Sequence, residues 1–291
     1  MPLNSLRWTA FTLALLSLAG WSDCVLAQES GFLDRSLLAD PSIVFSPTSG
    51  DEIETDRDSF TPATTVVGHH KTIVEAAYSF IDNPSSRETH SFPELLVRYG
   101  VSDRLEIRLG WNYETGGGGS VSGNSSFIEE EPLVDEIEND GDLLYGLKLF
   151  VNEQADWLPQ SSLIVQANTP TSGSLNTTQF TLCYVLGWEL PNSWTIDAAM
   201  RYSATAEEED HFNLWAPSVV LKVPVGTKYK AHIEYFGIFS DEQETAQTSQ
   251  YISPGIHYLI TPDLEIGVRV GWGLNNDSAR FFSNVGAGWR F

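Results

Sequence analysis

From Lys71 to the C-terminus the chain alternates. Apolar side chains recur at every second position in about twelve stretches, each bounded by turn or loop residues. The clearest stretch sets Leu105, Ile107, Leu109, Trp111 and Tyr113 against Glu106, Arg108, Gly110 and Asn112. A period of two is what a strand with one greasy face and one polar face requires. Residues 71–80 repeat it with Thr72, Val74, Ala76, Tyr78 and Phe80 on one side and Glu75 on the other. Further strands are predicted over 90–101, 142–151, 161–168, 180–188, 194–202, 214–223, 229–235, 251–260 and 264–272, and a last one ends at Phe291. Pro217 and Pro254 interrupt the eighth and tenth, where each removes one ladder donor. The connections alternate in length. Short ones fall at 102–103, 152–160, 191–193, 224–226 and 261–263; long ones fall near 81–89, 114–141, 169–177, 204–213, 240–249 and 275–279. A soluble β-sandwich explains alternation but not this asymmetry. The expectation is an all-β fold: a transmembrane antiparallel up-and-down β-barrel with short periplasmic turns and long extracellular loops.

The two ends of the chain agree with that reading. At the C-terminus Val285, Ala287, Trp289 and Phe291 share an apolar face opposite Asn284, Gly286, Gly288 and Arg290. Asn284, Gly286, Trp289 and Phe291 fit the slots of the C-terminal signal that the barrel-assembly machinery reads in outer-membrane proteins. A terminal aromatic also suits the girdle at a bilayer interface. At the other end, Arg7, the apolar run 11–20 and Val25-Leu26-Ala27 read as a secretory signal cleaved after residue 27. Residues 28–70 follow as an N-terminal periplasmic segment or plug, and 71–291 as the barrel.

Composition narrows the classes further. Across 291 residues the formal charge is -23, against the basic footprint of a nucleic-acid binder. Beyond the N-terminal signal no apolar run is long enough for a transmembrane helix. Two cysteines cannot build a disulfide framework, and Cys183 reads as an inert small residue.

In a barrel, the faces opposite the apolar stripes point into the lumen. They carry Glu94, Arg98, Glu106, Arg108, Lys148, Asp197, Arg201, Lys222, Lys228, Lys230, His232, Glu234, His257, Glu265, Arg269 and Arg290. On a lipid face each Arg or Lys would cost about 2–4 kcal/mol near the midplane. In a lumen they can pair across strands, either lining a polar passage or filling a narrow barrel. The acidic stretch 51–62 contains Asp56, Arg57 and Asp58, the candidates for a gate pairing with lumen charges around Arg98, Arg108 and Arg269.

The loop 114–141 joins Gly116–Gly119 to Glu129, Glu130, Glu131, Asp135, Glu136, Glu138 and Asp140. It matches neither a phosphate cradle nor an EF-hand and reads as a solvated surface loop. A sharper alternative is loose divalent-cation binding at the outer surface, which 207–210 would share. No nucleophile elbow or His-Glu-x-x-His zinc motif occurs. No catalytic, cofactor or metal assignment follows.

The stretch 55–61, Thr-Asp-Arg-Asp-Ser-Phe-Thr, and the strand opening at 73–78, Ile-Val-Glu-Ala-Ala-Tyr, resemble the outer-membrane transporter-like family named for a phenol-degradation pathway, the phenol MetA degradation family. Members open with Thr-Asp-Arg-Pro-Asp-Phe-Thr; here Asp58 stands for the proline, and alanines stand for the glycines of the first strand. Residues 95–100 and 103–108 resemble the family's second and third strands. The resemblance implies an outer-membrane barrel engaged in uptake of small solutes, hydrophobic or aromatic compounds among them. The expected partners are the outer-membrane bilayer, the assembly machinery and a small-molecule solute, with no nucleic acid. The alternatives are a closed structural or surface-interaction barrel displaying acidic loops and an interfacial hydrolase.

Overall fold

A computed structural model describes residues 52–57, 59–119, 121–124, 137–173, 177–207, 210–241 and 248–291. The expected signal over 1–27, residues 28–51 of the expected N-terminal segment, Asp58 and the acidic residues 129–136 and 208–209 lie outside them. The strands are β1 (Thr72–Asp82), β2 (Thr89–Ser91), β3 (Leu95–Gly100), β4 (Leu105–Gly116), β5 (Glu138–Asn152), β6 (Gln160–Ser172) and β7 (Gln179–Leu190). They continue with β8 (Trp194–Glu207), β9 (Asp210–Val225), β10 (Tyr229–Asp241), β11 (Thr248–Thr261), β12 (Leu264–Gly273) and β13 (Phe281–Arg290). Each pairs antiparallel with its neighbours in one sheet, and β13 pairs with β1 to close it. β2 and β3 share one position between β1 and β4, so the barrel has twelve strand positions.

The predicted single strand over 90–101 is broken at 92–94. Pro93 has no N–H to donate, and the neighbouring donors find partners around it: Phe92 N to Tyr113 O at 2.7 Å and Glu94 N to Ala77 O at 3.0 Å. Several strands also extend beyond their predicted ends toward the long loops. β5 starts at Glu138 and β10 runs to Asp241. The ladder continues there after the apolar period has stopped, as in Thr115 facing Asn139.

Alternation sorts the two faces. Leu109, Trp111, Leu147, Leu182, Ile233, Val268 and Val285 stand exposed on the outside. Aromatic residues gather near both rims: Tyr229 with Tyr258 beside the short turns, Tyr202 with Trp215 and Trp272 with Phe281 toward the long loops. Apolar bodies with polar tips settle at a membrane–water boundary. The exterior is thus a lipid-facing belt, and the fold is that of an outer-membrane barrel. Phe291 seals the seam, exchanging hydrogen bonds of 2.8 and 2.9 Å with Thr72.

The core is inside the barrel. Residues 52–67 enter beside the short turns, where Ile53 N meets Pro262 O at 2.7 Å. They reach inward to the fully buried Phe60 and return to the same rim, where Gly100 lies against Val67 and Gly68. Part of the loop read above as a solvated surface folds inward instead: Val121, Ser122, Gly123 and Asn124 are all buried. Asn124 takes Arg108 on its side-chain oxygen and Asn168 on its backbone carbonyl. Those bonds replace the water a surface loop would have used.

Candidate functional site

The lumen divides into an ionic zone nearer the short turns and an aromatic zone toward the long loops. Asp56 is the hub of the first. Arg108 Nη1 donates to its carboxylate at 2.5 Å and Lys148 Nζ at 3.1 Å, and Arg98 Nη1 stands 3.6 Å away. The turn is held from within, because Ala63 N also donates to Asp56 at 3.1 Å. Arg98 bridges Glu75 at 3.1 Å and Glu106 at 2.9 Å, and Glu106 accepts from Val67 N at 3.0 Å. Three carboxylates thus balance three cations in a water-poor interior. Burial alone would raise the Asp56 carboxyl, but Arg98, Lys148 and Arg108 outweigh it and hold the group well below the usual carboxylate range.

Arg57 reaches along the same wall toward the long loops, 3.1 Å from Glu94 just before β3 and from Asn112 on β4. Asn284 supports Glu94 at 3.3 Å. Glu234 gathers the tip of the excursion, accepting from Phe60 N at 2.9 Å and Thr61 N at 2.7 Å. Arg269 pairs with Glu234 at 3.3 Å and not with the Asp56 hub. Asp197 stands apart with Lys222 at 3.6 Å.

His232 Nδ1 and His257 Nε2 are 2.7 Å apart, so one donates while the other accepts. His257 lies 3.7 Å from Glu265, which accepts from Thr55 at 3.1 Å. Lys230 is half-exposed at the rim and pairs with Glu52 at 3.0 Å, and Lys228 is exposed in its turn. Gly286 faces inward, while Trp289 and Phe291 face outward. A cavity of about 20 Å³, room for one water, remains beside Thr55, Arg57, Glu75, His257, Glu265 and Asn284.

The aromatic zone was missed by the alternation rule, which assigned apolar residues to lipid. Phe60 stacks on Phe236 with centroids 4.2 Å apart and planes 8° from parallel. Phe236 in turn meets Tyr251 at 4.8 Å and Phe282 at 6.0 Å. Phe212, Leu214, Ala216 and Val121 join the cluster, with Ile81, Ile238 and Ala279 at its edges. A signal was present: residues 214–223 are apolar on both faces, the pattern of a strand covered on both sides.

The sequence profile of a family described as "Putative MetA-pathway of phenol degradation" matches residues 55–291. No curated protein matches the chain. Among solved structures, an outer-membrane channel from Pseudomonas putida F1 is 13% identical, with a TM-score of 0.55, over 78% of this chain and 98% of that one. The NanC porin is 11% identical, with a TM-score of 0.48, over 75% of this chain and 98% of the porin. At 13% identity the likeness to the Pseudomonas channel speaks to the fold alone.

Proposed function

Because the chain belongs to the phenol MetA degradation family, we propose that it is an outer-membrane channel for small solutes whose lumen is closed by its own residues 52–67. One observation carries the reading: the interior is filled by a segment continuous with the N-terminus, clamped by side chains from walls on every side. A barrel filled only for strength could use wall side chains alone. Here the filling is a separate chain excursion, able to leave without unpairing any of the barrel strands β1–β13. One solved structure of similar fold, from Pseudomonas putida F1, is a channel by its description, and that role is extended to this chain as part of the proposal. Hydrophobic or aromatic compounds are the solute class, in line with the family description and the aromatic upper lumen.

Liposome swelling with neutral and anionic small solutes tests this. Refolded protein lacking residues 52–67 should pass solutes that the full mature chain passes slowly. A second reading, a closed structural barrel, has the charge balance of the ionic zone in its favour. Equal impermeability of both forms, with the barrel shown to be folded, would support that reading and overturn the channel.

A further inference from the structure

We propose that Arg201 and Phe236 form a binding site for an aromatic monocarboxylate, occupied here by Phe60 as an internal stand-in. The ring of Phe60 lies flat on Phe236, and the Arg201 guanidinium covers it 4.5 Å from the centroid. Arg201 Nη2 also donates to the Phe60 carbonyl oxygen at 2.7 Å. One plug residue therefore presents a ring and an oxygen to one face and one fork. Arg201 is buried at 3% exposure, and its Nη1 has no hydrogen-bond partner among the described residues. No described carboxylate lies within ion-pair distance of it, whereas Arg269 next door is matched by Glu234. A buried guanidinium without an anion is costly, and a carboxylate takes both fork nitrogens at once.

The chemistry selects within the aromatic class. A neutral phenol would stack on Phe236 but leave the charge of Arg201 unanswered. A dicarboxylate would bring its second charge toward Glu234. Gly123 presses on the outer side of the site: a Cβ there would stand 2.3 Å from Arg201 Nη2 and 2.5 Å from the Phe60 oxygen. Gly123 thus covers the site on one side while Phe60 covers it on the other. Solute and plug compete for the same face and fork, so a ligand that binds the vacated site shifts the plug toward release.

The inference rests on reading residues 52–67 as a displaceable plug, and the test separates the two. Benzoate binding is measured by calorimetry on refolded full-length protein, with benzyl alcohol as the neutral comparison. Phe60→Ala should bind benzoate at least about tenfold more tightly than the parent, and Arg201→Gln in that background should lose it by at least about tenfold. Arg201→Lys, which keeps the charge without the fork, should recover only part. Heat-modifiable gel mobility verifies folding of each variant. Benzoate binding that ignores Arg201, or benzyl alcohol binding as well as benzoate, overturns the site. If deleting residues 52–67 opens the barrel while Phe60→Ala binds no benzoate, the site fails and the plug stands. If deletion changes nothing but Arg201-dependent binding appears in Phe60→Ala, the plug fails and the site stands.

Discussion

Asp56→Asn is the most informative single change. It keeps the shape of the side chain and removes its charge. With Asp56, the hub sets three carboxylates against Arg98, Arg108 and Lys148; with asparagine, Glu75 and Glu106 alone face the same three cations. All of these groups are buried. Removing one partner of a buried ion pair costs about 3–5 kcal/mol, because the remaining charge is left uncompensated. Only the seated plug bears that cost, since withdrawal admits water to the cations. The balance between seated and withdrawn plug therefore moves by roughly two to four orders of magnitude. In a planar bilayer the variant should spend far more time open than the parent, with the barrel unfolding at nearly the parent's temperature. Parent-like closure in a folded Asp56→Asn protein would refute the claim that the hub seats the plug.

Arg57→Ala should open the channel less than Asp56→Asn, because Glu94 keeps Asn284 as a partner; a larger effect in the same recording would invert the assigned hierarchy. The pH response follows from Asp56. Its carboxyl is held below the ordinary value of about 3.9, so its contribution to seating is complete above that value and is lost only as pH falls through the lower, folded one. Conductance should therefore stay low from pH 8 to about pH 4, and opening between pH 7 and 5 would assign the gate to another group. Removing Phe291 deletes both a seam hydrogen-bond pair and the terminal aromatic. Pulse-chase fractionation should then find less folded barrel in the outer membrane, with refolding into detergent less affected; unchanged assembly would show that Phe291 is no part of an assembly signal.

Much of the barrel was legible because lipid enforces the rule. A charge facing hydrocarbon is costly, so Glu106 and Arg108 had to share a face opposite Leu105, Ile107 and Leu109. The contents of the lumen obey no such rule. Alternation points Arg98, Arg108 and Arg269 inward, but the stagger of the strands decides which of them reach Asp56. Arg269 on β12 instead reaches across β11 to Glu234 on β10. The run of glycines in 116–119 carries no period, so composition suggested solvent, while Asn124 and Gly123 are shaped for contact with Arg108, Arg201 and Phe60. Phe212, Leu214 and Phe236 violate the outward-grease rule for one reason. The plug and loop create a second interior that excludes water, and there apolar residues are buried as in any soluble core.

The central claim is that residues 52–67 gate the barrel, and a reversible lock tests it within one molecule. A Cβ built on Gly288 lies 3.6 Å from the Cβ of Thr55, within the range of disulfides. In the double variant Thr55→Cys, Gly288→Cys, single-channel recording before and after addition of reductant compares a tethered with a free plug in the same bilayer. Silence under oxidising conditions, followed by discrete openings on reduction, is the predicted result. Identical conductance in both states, with the disulfide verified by mass, would contradict the account.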